Sequence, residues 1–515
     1  MDDKKNNENL QQPSEIPQPI FETVPVETGA PEEIASNVSA TDQADFNQIQ
    51  PEIVPIEAEP PSLVRTEQSK LPYIAGGVAV FVVIFIVIFI FLSSRSKKVI
   101  PPLQKVSLTY WGLWEEKEVM DPLIKEYQNK NPNIQITYEK KTEEDYRKKL
   151  LTWIKNGQGP DLFRFHNTWV PEMMLPNSNN KELALAALPE SVMSSVEYEK
   201  TFYPIQVRDL KIEKNIYGIP LMIDGLVMLV NEDLLKKAGI SSVPENWDEL
   251  QVAASQVTVK GKEKELITAG LAAGTASNVA HFSDILGLMI ILNGGSLFKL
   301  DQPESSTALE AYRRLAEEPN NVWSEAMPNS ITAFAQGKVA IIFAPSWEIH
   351  SIKNTSPELK FVVAPIPNPP GGKKFSIASY WAEGVSIKSK NQTEAWKFLA
   401  YLSSKEGQTK MYEIQGSIRA FGTAYSRMDL ADLLVQDPYL GVVIKQAVED
   451  RYISLYLASN TFDDGLNDGV SRYLENAING ASQGVSYGEA MKQAQAGISQ
   501  LFVQYNITIK EKKEK

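Results

Sequence analysis

The 515-residue chain contains no cysteine. That one absence excludes disulfides, thiolate metal sites, cysteine nucleophiles and a lipid-modified cysteine anchor. Histidine is nearly as scarce. His166, His281 and His350 are the full set, too few to expect a multi-histidine metal centre or a serine–histidine relay. No phosphate loop with its lysine and hydroxyl is present. The folded part has no basic patch interleaved with aromatics, so nucleic acid is not an expected partner, and no metal or cofactor is expected. The formal net charge is −13, but residues 1–70 hold fourteen acids against four bases (Lys4, Lys5, Arg65, Lys70). The rest of the chain is close to neutral, so overall acidity says little about a ligand.

Composition divides the chain into regions. Residues 1–70 are rich in Pro, Gln, Asn, Glu and Ser and show no sustained period. Such a segment buries too little surface to offset its ordering entropy, and a disordered acidic tail is expected. Residues 71–94 carry no charge, and Val78 to Leu92 reads VAVFVVIFIVIFIFL. That length matches a bilayer core, so one transmembrane helix contacting the lipid bilayer is expected. It lies too far from the N-terminus for a cleaved signal peptide. Residues 95–104 read as a linker, 105–505 as the folded domain and 506–515 as a charged tail. Flanking charges point to a cytoplasmic domain: Arg95, Lys97, Lys98 and Lys105 follow the apolar run, and only Arg65 and Lys70 precede it.

The folded region opens with alternating strand and helix signals. Val106, Leu108 and Tyr110 alternate, and Val119, Met120, Leu123, Ile124 and Tyr127 form a helical stripe stopped at Asn131-Pro132. Ile134, Ile136 and Tyr138 give a second strand. Tyr146, Leu150, Trp153 and Ile154 mark a second helix ending at Gly157, and Leu162 to Phe165 a third strand. This order predicts a mainly parallel sheet covered on both faces, with ligands beyond the carboxyl ends of its strands.

Those ends carry aromatic and polar side chains. The first leads into Trp111, Trp114, Glu115 and Glu116, and the third into Phe165, His166, Asn167 and Trp169. Rings that lie against the C–H face of a sugar, beside groups that take its hydroxyls, suit a polyhydroxylated ligand. Each Trp also has a plain reading as core. Between Ile219 and Val230 an apolar, strand-like run is interrupted by a lone acid, Asp224, beside Gly225. A carboxylate there is costly without a partner, and a ligand cleft accounts for it. Downstream, Trp247 opens a helix that Asp248 is expected to cap. Asn278 and His281 follow a strand-like run and face either the cleft or their own loop.

Several segments stand in one order: LTYWGLWEEKEVMDPLIKEYQNKNPNIQITYE from Leu108, NGQGPDLFRF from Asn156, YGIPLMIDG from Tyr217, ITAFAQGKVAIIFAPSWEIH from Ile331, and FVVAPIPNPPGGKKFSIASYWAEGVSIKSK from Phe361. With them the chain resembles the extracellular solute-binding proteins of bacterial ABC importers, in the sugar-binding, maltose-binding-protein-like family. The resemblance implies an α/β fold class, a two-lobed, type II periplasmic-binding-protein-like fold, here preceded by the disordered tail and one transmembrane helix. Lobe one would span about 105–221 and 384–421, and lobe two about 222–383 and 422–505. Crossing segments are implied at Ile219 to Leu229, Ile377 to Val385 and Ser417 to Ala424, with Gly225, Gly384 and Gly422 absorbing hinge rotation. Asp224 would lie on the cleft floor, and Trp347 and Trp381 would stack on a sugar. Tyr380 and Glu383 accompany Trp381, while Glu115, Glu116 and Asn167 would supply polar contacts. The last helical part departs from maltose-binding relatives, with Asn467, Asp468 and Val470 where some place a further aromatic.

The implied function is capture of a small solute, a carbohydrate, for ABC permease subunits, with no catalysis. That role sets the domain outside the cell and the tail in the cytoplasm, against the charge count. Two other readings remain at this point. One is a glycosidase pairing Glu115 with Asp224 or Glu383; the other is a ligand sensor or scaffold that signals through the acidic tail.

Overall fold

The computed structural model describes residues 105–174, 183–369, 372, 374–455 and 465–507. The expected tail, transmembrane helix and linker fall outside the described residues. Among the described residues, no helix is long and apolar enough to cross a membrane.

Two five-stranded sheets form the frame. The first contains β1 (Val106–Gly112), β2 (Ile134–Lys140), β3 (Leu162–His166), β4 (Ile219–Pro220) and, much later in the chain, β11 (Trp381–Val385), in the order β2-β1-β3-β11-β4. The second contains β5 (Leu226–Asn231), β6 (Val259–Lys260), β7 (Leu266–Leu271), β8 (Val339–Pro345) and β9 (Phe361–Ala364), in the order β9-β5-β8-β7-β6. A two-stranded ladder joins β10 (Ser376–Ile377) to β12 (Tyr452–Ile453).

The first three strands are parallel, as their alternation with helices requires. The sheets as wholes are mixed, which corrects the mainly parallel expectation. β11 runs antiparallel to β3 and to β4, and β5 runs antiparallel to β8 and β9. The cause is the route of the chain. β11 returns to the first sheet from the direction of the second and so enters it reversed.

The helices follow the apolar stripes. In α1 (Lys117–Lys130) the side chains of Val119, Met120, Leu123, Ile124 and Tyr127 are buried, and the N–H of Asn131 bonds back to the Tyr127 carbonyl at 2.9 Å to end it. In α2 (Tyr146–Lys155) the buried face is Tyr146, Arg147, Leu150 and Ile154. Trp153, expected on that stripe, is 47% exposed and meets Trp111 edge-on at 5.7 Å. α3 (Trp247–Val257) is capped by Asn246, whose side chain accepts from the Glu249 N–H, and Asp248 lies inside the first turn. The expected cap was two residues late because Asn and Asp are both good caps and the segment offers one of each. Near the C-terminus the helices Leu466–Ser482 and Tyr487–Gln504 pack against each other and against the helix Pro303–Arg314.

The apolar run from Ile219 to Val230 is two strands in two different sheets. β4 ends at Pro220 and β5 begins at Leu226, so residues 221–225 carry the chain from one sheet to the other. Other passages lie beside this one. The Ser379 N–H donates to the Asp224 carbonyl at 3.0 Å, the Ile223 N–H to the Ala424 carbonyl at 3.1 Å, and Gly225 bridges Ala378. Trp381 already pairs with His166 of β3, so the second passage joins the first sheet three residues before the boundary expected at 383/384.

The three glycines expected to absorb rotation are glycines for a different reason. None has positive φ. A Cβ at Gly225 would run into the Ile377 carbonyl oxygen and the Tyr452 ring, one at Gly384 into Leu185, and one at Gly422 into Tyr412. Close approach of neighbouring segments, rather than torsional freedom, selects them. Gly225→Ala should therefore destabilise the domain by about 1–3 kcal/mol through overpacking, read as a lower denaturant midpoint at unchanged slope. An unchanged midpoint would show that the passages can part without cost.

Candidate functional site

One cavity of about 170 Å³ lies where these passages meet the ends of β1 and β8. Trp114 and Glu115, just after β1, form part of its wall. Asp224 and Met222 come from the first passage, Ser346 and Trp347 from the end of β8, and Trp381 from the start of β11. The remaining wall is His350, from α4 (Glu348–Thr355), and the stretch Arg419, Phe421, Gly422, Thr423 and Ala424, with Leu440 behind it.

Asp224 is buried and fully engaged. One carboxylate oxygen accepts the N–H of Gly225 at 2.7 Å and of Ser346 at 3.0 Å; the other accepts the Ser346 hydroxyl at 2.7 Å. Burial raises its pKa to about 6, and these bonds hold it from rising further. The lone acid in an apolar run thus fastens the first passage to the turn that presents Trp347. Its position at the cavity is as expected. Its bonds make it a support for that wall.

Trp381 is the hub of an aromatic cluster. Its ring meets Trp114 at 5.5 Å, His166 at 5.0 Å and Trp169 at 5.4 Å, all edge-on. His166 stands behind it, with its ring nitrogens at 2.8 Å from the Thr168 hydroxyl and 3.0 Å from the Ser379 hydroxyl. Burial and the Arg147 charge lower its pKa to about 3, so it is neutral. Trp347 is half-buried and touched on its edge by His281 at 6.3 Å, which bonds in turn to Glu348 at 3.1 Å.

Glu115 reaches the cavity as one end of a buried charged row. Arg164 lies between Glu115 and Glu383, with its Nε 2.6 Å from Glu383 and its Nη1 on Glu115; the Gln415 amide donates to Glu115 at 3.2 Å. Burial opposes the Arg164 charge, but Glu383 and Tyr110 more than offset it and hold the guanidinium protonated. Burial pushes the Glu383 carboxyl up, against the pull of Arg164. The carboxylates a glycosidase would deploy are therefore committed to protein partners.

Five expected site residues share the cavity: Trp114, Glu115, Asp224, Trp347 and Trp381. The other eight lie elsewhere. Trp111 turns outward under Lys141, which sits 4.1 Å from its ring. Glu116 is exposed and pairs with Lys140. Phe165 is core against Gly218 and Gly384, and His166 backs Trp381. Asn167 and Tyr380 meet at Asp209, each 2.9 Å from one of its oxygens, and Asn167 also bonds to Ser454. Glu383 is sealed behind Arg164. Asn278 uses its amide on the Ser324 and Met327 carbonyls, both at 2.9 Å. Alternate residues on a strand face opposite ways, so proximity to a strand end does not select the cavity side.

Sequence reasoning missed His350, Arg419 and Phe421. The last two fall in the passage expected at Ser417 to Ala424, where only the glycine drew notice. Phe421 stacks on His350 at 4.0 Å and on Tyr439 at 5.2 Å. Burial, then the Arg419 charge, lowers the His350 pKa to about 4, and burial with Arg164 lowers that of Arg419 to about 10.

Comparison with known proteins agrees with this architecture. Residues 112–409 match the family described as bacterial extracellular solute-binding protein. A binding protein of Brucella abortus is 26% identical over 304 residues, 57% of this chain and 70% of that one. The multiple sugar-binding protein of Streptococcus mutans is 23% identical over 338 residues, 63% of this chain and 77% of that one. Among solved structures, the ABC transporter solute-binding protein of Thermotoga lettingae bound to α-D-tagatose aligns with a TM-score of 0.59 and 23% identity. It covers 77% of this chain and 99% of its own.

A raised carboxylate pKa gives a signed test. Asp224 titrates near 6 when folded and near its ordinary 3.8 when unfolded, so the folded state holds the proton more tightly. Its contribution to stability is fully present below about pH 3.8 and is lost as pH rises through 6. Relative to Asp224→Asn, the wild type should lose on the order of 3 kcal/mol between pH 4 and 7, measured by urea unfolding at each pH. Parallel stability profiles for the two proteins would refute the raised value.

Proposed function

The chain belongs to the family of bacterial extracellular solute-binding proteins, and from that premise we propose that it captures a saccharide between two lobes for an ABC permease. One observation carries this reading. Trp114, Trp347 and Trp381, from separate elements of both sheets, converge on one cavity beside Glu115 and Asp224. Flat rings with hydrogen-bonding groups between them are the surface a sugar needs. The Streptococcus mutans relative, a multiple sugar-binding protein, and the tagatose in the Thermotoga lettingae structure support the same ligand class.

The mechanism is binding coupled to closure, with no bond made or broken in the solute. Lobe one comprises about 105–221 and 381–421, and lobe two about 222–380 and 422–505. A solute that touches both gains contacts only when they approach, so it shifts the population toward the closed form. Linking passages bonded to one another restrict that motion to a hinge.

In this proposal residues 71–94 anchor the protein in the membrane, the solute-binding domain is extracellular and the acidic tail is cytoplasmic. The length of the uncharged run and the missing lipid-anchor cysteine support a helix anchor. A receptor for an importer meets its solute only outside, which outweighs the flanking charges.

Calorimetric titration of the full chain with neutral and acidic mono- and oligosaccharides tests the reading. At least one should bind, and Trp347→Ala should weaken it roughly tenfold or more through lost ring contact. A panel without a binder, or a variant with unchanged affinity, would overturn it. External protease on intact cells should also digest the domain; protection would contradict the topology.

A further inference from the structure

The polar groups of the cavity differ in how completely they are occupied. Asp224 already accepts from Gly225 and Ser346, and Glu115 is tied to Arg164 and Gln415. Arg419 is the opposite case. Its Nε donates to the Phe421 carbonyl at 3.0 Å, but its Nη2, shielded from solvent, has no hydrogen-bond partner among the described residues. No carboxylate lies within ion-pair distance of Arg419 among the described residues; the charge that acts on it is a second cation, Arg164. On the same wall Trp114 Nε1 and His350 Nδ1 are also unmatched.

Guanidinium and indole N–H groups only donate. The unmatched polar atoms of the cavity-lining residues are therefore those of one cation and one neutral donor, plus an imidazole that is uncharged near neutral pH. A neutral sugar would offer hydroxyl oxygens to these donors and leave the charge of Arg419 uncompensated. A doubly charged phosphate ester would need a second cation, and neighbouring Arg164 is already held between two glutamates. A single carboxylate matches both the charge and the planar donor edge.

Resting on the saccharide reading above, we propose that the solute is an acidic saccharide, a sugar or oligosaccharide bearing a uronic-type carboxylate, and that Arg419 is the residue that selects it. The aromatic walls hold the ring, and the carboxylate meets the unmatched Nη2 of the guanidinium.

The test is calorimetry on the full chain with a glucuronic-acid-containing disaccharide, its methyl ester and the matched glucose disaccharide, alongside the corresponding galacturonic series. An acid should bind roughly tenfold or more tightly than its ester, as one charge-assisted hydrogen bond implies. Arg419→Gln should weaken the acid far more than the ester and so erase most of that difference, and Arg419→Lys should keep part of it. The acid–ester comparison needs no variant, so it stands even if a substitution impairs folding. Equal binding of acid and ester, or preference for the glucose compound, overturns the acidic assignment and leaves the saccharide reading intact. Absence of binding across both series and the neutral panel overturns both together.

Discussion

Asp224 sits where the chain changes sheets, and the cavity depends on how it is held. Its carbonyl takes the N–H of Ser379 in a neighbouring passage, while its carboxylate takes the N–H and hydroxyl of Ser346 at the end of β8. One residue thus ties two passages to the turn that carries Trp347. A third passage is attached through Ile223 and Ala424. The cavity walls come from chain positions far apart, and these bonds hold the linking passages and the turn that presents Trp347 in register before any solute arrives. Such preorganisation lowers the ordering cost of binding.

A buried carboxylate with a raised pKa and a buried Glu–Arg–Glu row are expensive ways to build a core. Apolar replacements of equal volume are often as stable or more so. Here the row has a positional consequence. Arg164 is pulled between Glu115 and Glu383, which keeps Glu115 on the cavity wall and leaves the Arg164 charge unavailable to a ligand. Arg419, half-buried and without a carboxylate partner among the described residues, is left as the uncompensated cationic group there. Burial of the charged row and exposure of Arg419 to the cavity therefore belong to one arrangement, in which protein carboxylates satisfy one arginine and the solute meets the other.

Much of the frame was legible from local pattern. Alternation at Val106 to Tyr110 and the stripe at Val119 to Tyr127 correspond to β1 and α1, because half-buried strands and amphipathic helices impose those periods. The lone acid at 224 marked the cavity because an unpaired carboxylate is rarely tolerated in an apolar run. Side-chain direction was not legible. Glu115 and Glu116 are adjacent, yet one joins the buried row and the other pairs with Lys140 at the surface. Trp111 and Trp114 divide in the same way, and Tyr380, Asn167 and Glu383 are committed to partners more than 200 residues away or to Asp209. Arg419 and His350 carry no local signal, since what makes them notable is one nitrogen of each left unmatched among the described residues in three dimensions. The antiparallel return of β11 escaped for a related reason. It depends on a long excursion through the second sheet, which no short window records.

The account turns on a solute ring held in the cavity among Trp114, Trp347 and Trp381. A crystal structure of the protein with its tightest-binding saccharide measures that directly. The account predicts a sugar ring against at least two of these indoles, with the Asp224–Ser346 bonds intact beneath it. A saccharide seated outside this cavity, with the three indoles untouched, would contradict it.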